Sequence, residues 1–213
     1  MKSTCQTPMG ELEINTLGHA SLLLRLGKLV IYADPYSEAC DFSGFPKAGL
    51  VLITHDHYDH LDFTALKPVL TAGTTVVGNP DVAAQVEGAI SLRNGEMTSW
   101  NGIAIKAVPA YNTTGRKPDG EFFHPKGVVN GYVLDFEGFK VYIAGDTELI
   151  PEMVAQKGVD VAFLPKNLPY TMSDEMFVQA AKAVNPKILY PFHYSEVDVE
   201  ALRRELPEME VRL

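Results

Sequence analysis

The chain has 213 residues, and 46% of them are hydrophobic, which is enough for one domain of ordinary size with a substantial core. It carries 27 acidic and 18 basic residues, for a formal net charge of -9, and no basic run. This balance argues against nucleic acid or an anionic membrane surface as a partner, because both bind through basic patches.

The first half of the chain predicts short strands with two short helices. Strands are expected over residues 11–16, 20–26, 29–33, 50–54 and 74–78. Gly27-Lys28 predicts the tight turn of a hairpin. Asp62 is placed to cap a helix that runs to about Leu70, and a second short helix is expected over residues 81–87.

The second half continues in the same style. Strands are expected over residues 103–108, 132–136, 140–144, 159–164 and 188–190. Pro151 suits the first turn of a helix that ends near Gly158. Ser173 predicts the N-cap of a helix that Asn185-Pro186 ends, and a last helix is expected over residues 197–206. Periodicity alone indicates a mixed α/β fold in a single domain over residues 1–213.

The most informative segment is His55-Asp56-His57-Tyr58-Asp59-His60, which holds three of the six histidines and directly follows an apolar run. In an extended backbone, side chains two residues apart point to the same side, so His55 and His57 can face one metal ion. Asp59 and His60 then lie in a turn that can reach a second ion. The alternative interpretation is a solvated acidic turn that carries histidines by chance.

Four further segments accompany this motif along the chain: Gly18-His19-Ala20-Ser21, Asp34-Pro35, Gly145-Asp146-Thr147 and Pro191-Phe192-His193-Tyr194. Together with residues 54–62 they resemble, in order, the recurring segments of the metallo-β-lactamase superfamily. The likeness is narrower to the ascorbate-6-phosphate lactonase-like branch of small metal-dependent hydrolases. The resemblance implies a four-layer α-β-β-α sandwich, in which two mixed sheets lie between outer helices.

The resemblance also implies a set of metal ligands. These are His55, His57, Asp59, His60, Asp146 and His193, with Asp146 as the bridge between two ions. One or two divalent ions are therefore expected. Zinc is the first expectation, and manganese and iron also suit imidazole and carboxylate ligands.

The chain departs from the family at a third histidine, which the resemblance places after the strand over residues 103–108. Pro109-Ala110-Tyr111-Asn112 stands there instead. His124 lies in the following stretch, 111–130, which has no clear period and is predicted to form a loop over the metal site. His124 is a candidate replacement ligand. The alternatives are a substrate contact or no functional role, and the loop itself is alternatively a plain surface excursion.

Other residues receive supporting roles. His19 and Asp34 are expected to orient ligating imidazoles, since a carboxylate can accept the second ring N–H of such a ligand. The alternative for Asp34 is that it only starts a turn, because Asp-Pro favours turns. Asp59 is the catalytic candidate, because it can accept a proton from the attacking water. Candidate substrate contacts are Tyr111, Asn112, Lys126, Lys166, Tyr170 and Tyr194. This set suggests a small-molecule substrate with an anionic group.

The resulting hypothesis is a hydrolase that uses metal-activated water on a small ester, lactone or phosphodiester. Two alternatives remain open, a di-iron oxidoreductase and a metal-binding protein without turnover. Cys5 and Cys40 form no Cys-x-x-Cys pair, and no stretch resembles a signal peptide or a membrane span. A cytoplasmic location is therefore expected, and assembly of identical chains is left open.

Overall fold

The computed structural model describes residues 2–213, which form fourteen strands and five α-helices. The strands are β1 Lys2–Thr7, β2 Gly10–Gly18, β3 Ser21–Leu26, β4 Leu29–Ala33, β5 Leu50–Leu52, β6 Thr75–Gly78, β7 Ile90–Ser91, β8 Met97–Trp100, β9 Ile103–Ala110, β10 Val129–Phe136, β11 Phe139–Ile143, β12 Val161–Pro165, β13 Ile188–Phe192 and β14 Glu210–Val211. The helices are α1 Phe63–Val69, α2 Pro80–Gln85, α3 Pro151–Val154, α4 Asp174–Val184 and α5 Val199–Glu205. Contacts divide the chain into two compact units, unit 1 up to Arg93 and unit 2 from Asn94 to Leu213.

Unit 1 holds one seven-stranded sheet in the order β1-β2-β3-β4-β5-β6-β7. The strands β1 to β4 pair antiparallel, and β4 to β7 pair parallel. The hairpin turn at Gly27 pairs Leu26 with Leu29, as the sequence predicted. The parallel pairing of β4 with β5 sets Ala33 opposite Leu52, so Asp34 and the histidine motif leave the same edge of the sheet.

The helices α1 and α2 cover one face of this sheet. Their buried side chains pack with buried strand residues in one apolar cluster that includes Tyr32, Val51, Leu66 and Val82. The Asp62 carboxylate caps α1 by accepting hydrogen bonds from the backbone N–H groups of Thr64 and Ala65. Asp62 lies two residues after the motif ends at His60, and its cap fixes the start of the helix at Phe63.

Unit 2 repeats this strand order with its own seven-stranded sheet, β8-β9-β10-β11-β12-β13-β14. Here β8 to β11 pair antiparallel, and β11 to β14 pair parallel. The apolar face of α4, which contains Phe177 and Ala181, packs with Met153 of α3 and Leu164 of β12 in one buried cluster. Asp146 follows β11 and His193 follows β13, so both leave the same edge of this sheet.

The predicted α/β class with two mixed sheets is confirmed, and so are the hairpin at Gly27-Lys28 and the Ser173 N-cap of α4. Helix α3 is shorter than predicted and ends at Val154, because residues 155–158 form turns. The sequence did not predict the edge strands β1, β7, β8 and β14, whose side chains are largely exposed and carry little apolar signal. The expected single domain over residues 1–213 stays a prediction.

The longest helix, α4, has eleven residues. Within the described chain, no helix has the length and the apolar run that crossing a bilayer requires.

Replacing Asp62 by Ala should destabilise unit 1 more than loss of an ordinary cap. Besides capping α1, the carboxylate accepts hydrogen bonds from the N–H and hydroxyl groups of Ser37. We expect the free energy of unfolding to fall by about 2 kcal/mol, measured by urea denaturation. Asp198→Ala is the control, because Asp198 caps α5 through a single bond to Ala201 N–H at 2.9 Å. Equal losses in both variants would contradict this account of Asp62.

Candidate metal centre

His55 and His57 lie where the chain leaves β5 in unit 1. The His55 ring is buried, and its Nε2 lies 2.9 Å from His57 Nδ1. Its Nδ1 lies 3.0 Å from Thr54 Oγ1. Thr54 already donates its hydroxyl hydrogen to Asp34 Oδ2 at 2.7 Å, so it accepts from His55 Nδ1. The Nε2 of His55 therefore carries the lone pair of this ring, and it faces His57.

A buried network orients His60 in the same way. Its Nδ1 lies 2.8 Å from Asp34 Oδ2, and both side chains are fully buried. The other oxygen of Asp34 accepts the backbone N–H of Thr54 at 2.8 Å. Because a carboxylate accepts the Nδ1 proton, the Nε2 of His60 carries the lone pair that a metal requires. The contact of Asp34 with His60 Nδ1 is the one expected of a carboxylate that orients a ligating imidazole.

Asp59 is partly exposed and contacts two imidazoles. Its Oδ2 lies 2.8 Å from His19 Nε2 and 3.7 Å from His60 Nε2. His19 sits in the turn between β2 and β3 with φ +50°, a left-handed conformation that aims the ring at Asp59. Asp56 is engaged elsewhere, since it accepts a hydrogen bond from Gln85 Nε2 at 3.0 Å. The structure thus brings the sequence-predicted residues of unit 1 together.

Asp146 is the centre of a second cluster, in unit 2. Its Oδ2 lies 3.3 Å from His124 Nε2 and 3.3 Å from His193 Nε2, and all three side chains are almost fully buried. His193 follows β13 with φ +49°, and its Nδ1 lies 3.4 Å from the amide of Asn167. The candidate replacement ligand His124 therefore shares one carboxylate oxygen with the late histidine.

Asn112 fixes the orientation of His124. Its Oδ1 accepts the backbone N–H of His124 at 2.8 Å and lies 2.9 Å from the ring Nδ1. Its Nδ2 donates to Tyr170 O at 2.8 Å, so backbone partners define which end of the amide is oxygen. The ring proton is consequently on Nδ1, and the Nε2 lone pair faces Asp146. Two acceptors this close require a proton or a cation between them.

Glu148, two residues after Asp146, was not singled out from the sequence. It is buried, and the backbone N–H groups of Thr113, Thr114 and Gly115 and the two threonine hydroxyls donate to it at 2.6–2.8 Å. Burial raises the pKa of this carboxyl, but the hydrogen bonds outweigh burial and lower it to about 2. Glu148 thereby fixes the segment that carries Asn112. The signal in the sequence was the acidic residue next to Gly145-Asp146-Thr147.

Gly115 is needed for this arrangement. An added Cβ at Gly115 would lie 2.8 Å from Pro169 O and 3.0 Å from Glu148 Oε1. Residues further along the predicted loop close on themselves, with Lys117 N–H donating to Glu121 O at 2.7 Å and the Arg116 guanidinium over the Phe122 ring. Residues 111–128 therefore form an ordered loop with internal bonds, and the last two residues of the predicted loop, 129 and 130, belong to β10. The position of this loop over a metal site stays a prediction.

The six candidate substrate contacts differ in their surroundings. Lys126 Nζ pairs with Glu152 at 2.8 Å and contacts Tyr111, whose hydroxyl also donates to Glu152. Lys166 Nζ pairs with Asp174 at 2.7 Å.

Asn112 is buried and engaged as described, while Tyr170 is 44% exposed and Tyr194 is partly exposed. Carboxylates of the protein therefore already compensate both lysines. Their roles as substrate contacts stay predictions.

The donor set fits a divalent transition metal. With metal–ligand bonds of about 2.0–2.1 Å at tetrahedral angles, two ligand atoms on one zinc ion lie about 3.3–3.4 Å apart. Asp146 Oδ2 has this separation from both His124 Nε2 and His193 Nε2. Imidazole nitrogens held as acceptors by Asp34 and Asn112 are the form that such an ion binds.

Comparison with known proteins identifies relatives over most of the chain. The model of a family described as the beta-lactamase superfamily domain matches residues 13–193. A UPF0173 metal-dependent hydrolase from Thermus thermophilus is 33% identical over 194 residues, which cover 86% of this chain and 84% of that protein. A UPF0173 metal-dependent hydrolase from Methanopyrus kandleri is 31% identical over 220 residues, which cover 93% of each chain.

The fold of this chain is also similar to solved structures of metal-dependent hydrolases. A crystal structure of a proposed metal-dependent hydrolase from Parabacteroides distasonis is 42% identical with a TM-score of 0.92, covering 100% of this chain and 97% of that one. Igni18, a metallo hydrolase from Ignicoccus hospitalis, is 24% identical with a TM-score of 0.76, covering 95% and 94%. These likenesses confirm the metallo-β-lactamase-like fold class that the sequence predicted.

Replacing Glu148 by Gln should destabilise unit 2 in a pH-dependent way. The amide loses the charge-assisted bonds and turns an N–H₂ group towards donors, so we expect about 3 kcal/mol less stability at pH 7. The pKa of Glu148 lies below its ordinary value of 4.5, so its contribution is complete above about pH 4.5 and is lost as the pH falls towards about 2.

Urea denaturation at several pH values measures this difference. The gap between the native chain and the variant should close across that window. Glu121→Gln, at an exposed loop position, is the control and should show no such gap. A gap for Glu148→Gln that stays constant down to pH 2 would contradict the role given to the carboxylate.

Proposed function

The chain belongs to the metallo-β-lactamase superfamily and is a metal-dependent hydrolase, and on this basis we propose that it hydrolyses a small ester, lactone or phosphodiester. Hydrolysis adds one water molecule across the scissile bond. The water oxygen bonds to the carbonyl carbon or to phosphorus, the bond to the leaving alkoxide breaks, and that alkoxide takes up the proton. The observation that most supports this proposal is the pair of imidazoles held at ligand spacing from Asp146.

We propose six metal ligands, and the support is chemical. They are His55, His57, Asp59, His60, Asp146 and His193. In unit 1, Asp34 and Thr54 hold the protons of His60 and His55 so that each presents Nε2. In unit 2, Asp146 has the ligand spacing described above. One or two ions, with zinc as the first candidate, would satisfy this set.

His124 is proposed as a seventh ligand that replaces the histidine missing at Pro109–Asn112. Its Nε2 has the same 3.3 Å separation from Asp146 Oδ2 as that of His193. Asn112 holds the ring in the tautomer that a ligand requires. Substrate contact is the competing role, and the metal content of a His124 variant distinguishes the two.

The bound ions would supply Lewis-acid chemistry, which ionises a water near neutral pH and polarises the oxygen of the scissile group. The residues of this chain orient the reactants and move protons. Asp59, partly exposed and 2.8 Å from His19 Nε2, is proposed to accept the proton of the attacking water and to release it to the leaving alkoxide. His19 is a positioning residue that holds the Asp59 carboxylate.

The finer features of the proposal rest on the sequence. The likeness to ascorbate-6-phosphate lactonases supports a lactone, and the acidic composition without basic runs supports a protein that does not bind nucleic acid. The cytoplasmic location stays a prediction. Assembly of identical chains stays open. The ion pairs of Lys126 with Glu152 and of Lys166 with Asp174 argue against the expected anionic group on the substrate.

The two competing functions predict different results from the same preparation. A di-iron oxidoreductase would contain iron and consume oxygen or nitric oxide. A protein without turnover would bind metal firmly and hydrolyse no member of an ester, lactone, phosphodiester and lactam panel.

Replacing Asp146 by Ala should remove metal and activity together. The carboxylate that two imidazoles share is lost, so we expect lower metal content by elemental analysis and a hydrolysis rate reduced by more than about 100-fold. Asp160→Ala is the control, because Asp160 pairs with the exposed Lys187 at 2.7 Å. Unchanged metal content and rate in Asp146→Ala would reject the metal centre.

Replacing His124 by Ala separates its two proposed roles. As a ligand, its loss should weaken zinc affinity by at least about 10-fold in competition with a chelator. As a substrate contact, its loss should raise KM and leave metal affinity unchanged. Unaltered affinity in this variant would dismiss the replacement-ligand assignment, and Asn112→Ala should show a smaller loss of affinity if it acts by positioning the ring.

A further inference from the structure

Unit 2 has three large apolar side chains, here called the apolar rim, of which Leu168 and Tyr170 are exposed and Phe123 is partly buried. Leu168 is 63% exposed and Tyr170 is 44% exposed. The rings of Phe123 and Tyr170 meet edge to face with their centroids 4.9 Å apart. Single exposed apolar residues are common, but an aromatic pair with an exposed leucine two residues away in the chain indicates contact with another molecule.

The apolar rim is linked to the candidate ligands through the chain itself and through hydrogen bonds of Asn112 and Asn167. Phe123 directly precedes His124 in the chain. The backbone carbonyl of Tyr170 accepts from Asn112 Nδ2 at 2.8 Å, and Asn112 in turn holds His124. At the other end of the same segment, Asn167 contacts His193 Nδ1 at 3.4 Å. The rim therefore lies along the segment that supports both imidazoles of the Asp146 cluster.

The two lysines that lie near the rim residues in the chain are already paired with carboxylates of the protein. Lys126 pairs with Glu152, and Lys166 pairs with Asp174 and donates to Glu196 O. A substrate anion would have to displace a carboxylate to reach either ammonium group. An uncharged apolar group faces no such competition and gains from the area it removes from water.

Unit 1 shows a related feature at its own candidate ligands. Tyr58 lies between His57 and Asp59 and is 76% exposed, and Phe63 follows the motif and is 53% exposed. The polar residues that hold each metal cluster are thus accompanied by exposed aromatic side chains. This recurrence is an independent reason to connect apolar exposure with the substrate.

We propose that the substrate carries an uncharged alkyl or aryl group beside its scissile bond, and that the apolar rim binds this group. The inference rests on the proposed hydrolase function and narrows it from small esters, lactones and phosphodiesters in general to their lipophilic members. Phe123, Leu168 and Tyr170 are accordingly specificity residues.

The test compares substrates that share a scissile group and differ in one alkyl chain. Metal-loaded protein is assayed with γ-butyrolactone and γ-nonalactone, and with matched short-chain and long-chain methyl esters and phosphodiesters. Burial of one methylene group is worth about fourfold in binding, so partial burial of a five-carbon chain should raise kcat/KM by at least about tenfold.

Two variants remove the rim without disturbing its supports. Leu168→Asn changes a side chain that is mostly in solvent. Tyr170→Ser removes the ring but keeps the backbone carbonyl that holds Asn112. Each should reduce the long-chain preference, which is the ratio of kcat/KM for the long-chain and short-chain substrates, at least threefold. Met97→Ser is the matched control, because Met97 is 61% exposed on the edge strand β8 and belongs to neither cluster.

Binding of 1-heptanol, followed by saturation-transfer NMR, provides a readout that does not depend on hydrolysis. Contact that is lost in Leu168→Asn and Tyr170→Ser, together with the long-chain preference, supports the inference. Turnover without chain-length preference, or with a preference that both variants keep, overturns it and leaves the hydrolase function standing. No turnover of any substrate, with heptanol contact intact, instead rejects the hydrolase function and keeps the apolar binding site. Absence of both rejects both.

Discussion

The parallel pairing of β4 with β5 is the constraint on which the histidine motif depends. Parallel neighbours end at one edge of a sheet, so residues that follow them in the chain meet there although they are twenty positions apart. Asp34 joins the ends of the two strands, because its carboxylate accepts hydrogen bonds from both the backbone N–H and the hydroxyl of Thr54. The same carboxylate then takes the Nδ1 proton of His60. One buried carboxylate therefore joins two strands and sets the chemistry of an imidazole.

In unit 2, buried carboxylates likewise organise the segment that follows β11. The segment that leaves this strand carries two carboxylates with different tasks, since Asp146 faces two imidazoles and Glu148 is saturated by donors from residues 112–115. Environment separates the two groups. Neutral N–H and hydroxyl donors surround Glu148 and hold its pKa at about 2, so it stays charged and structural.

Much of this could be predicted from the sequence where a local signal exists. The turn at Gly27, the caps at Asp62 and Ser173 and the histidine motif are each written in a few adjacent residues. The edge strands were missed because they are short or largely exposed and lack the apolar alternation that marks a strand. Glu148 and the positioning role of Asn112 were missed because their partners lie 33 to 36 and 12 positions away, a separation that only the fold closes. The repeated strand order of the two units has no counterpart in visible sequence repetition.

The bonds around Glu148 have a consequence for how a ligand is received. Residues 113–115 donate short hydrogen bonds to the buried Glu148 carboxylate. The loop that carries His124 is therefore ordered before any ligand binds to it. Binding of an ion or substrate then costs the translational and rotational entropy of the ligand, but it does not cost conformational entropy of this segment. The affinity for the ligand is higher by that difference. A preorganised site of this kind selects its ligand by the shape of the site and the side chains that line it, and not by a conformational change that follows binding.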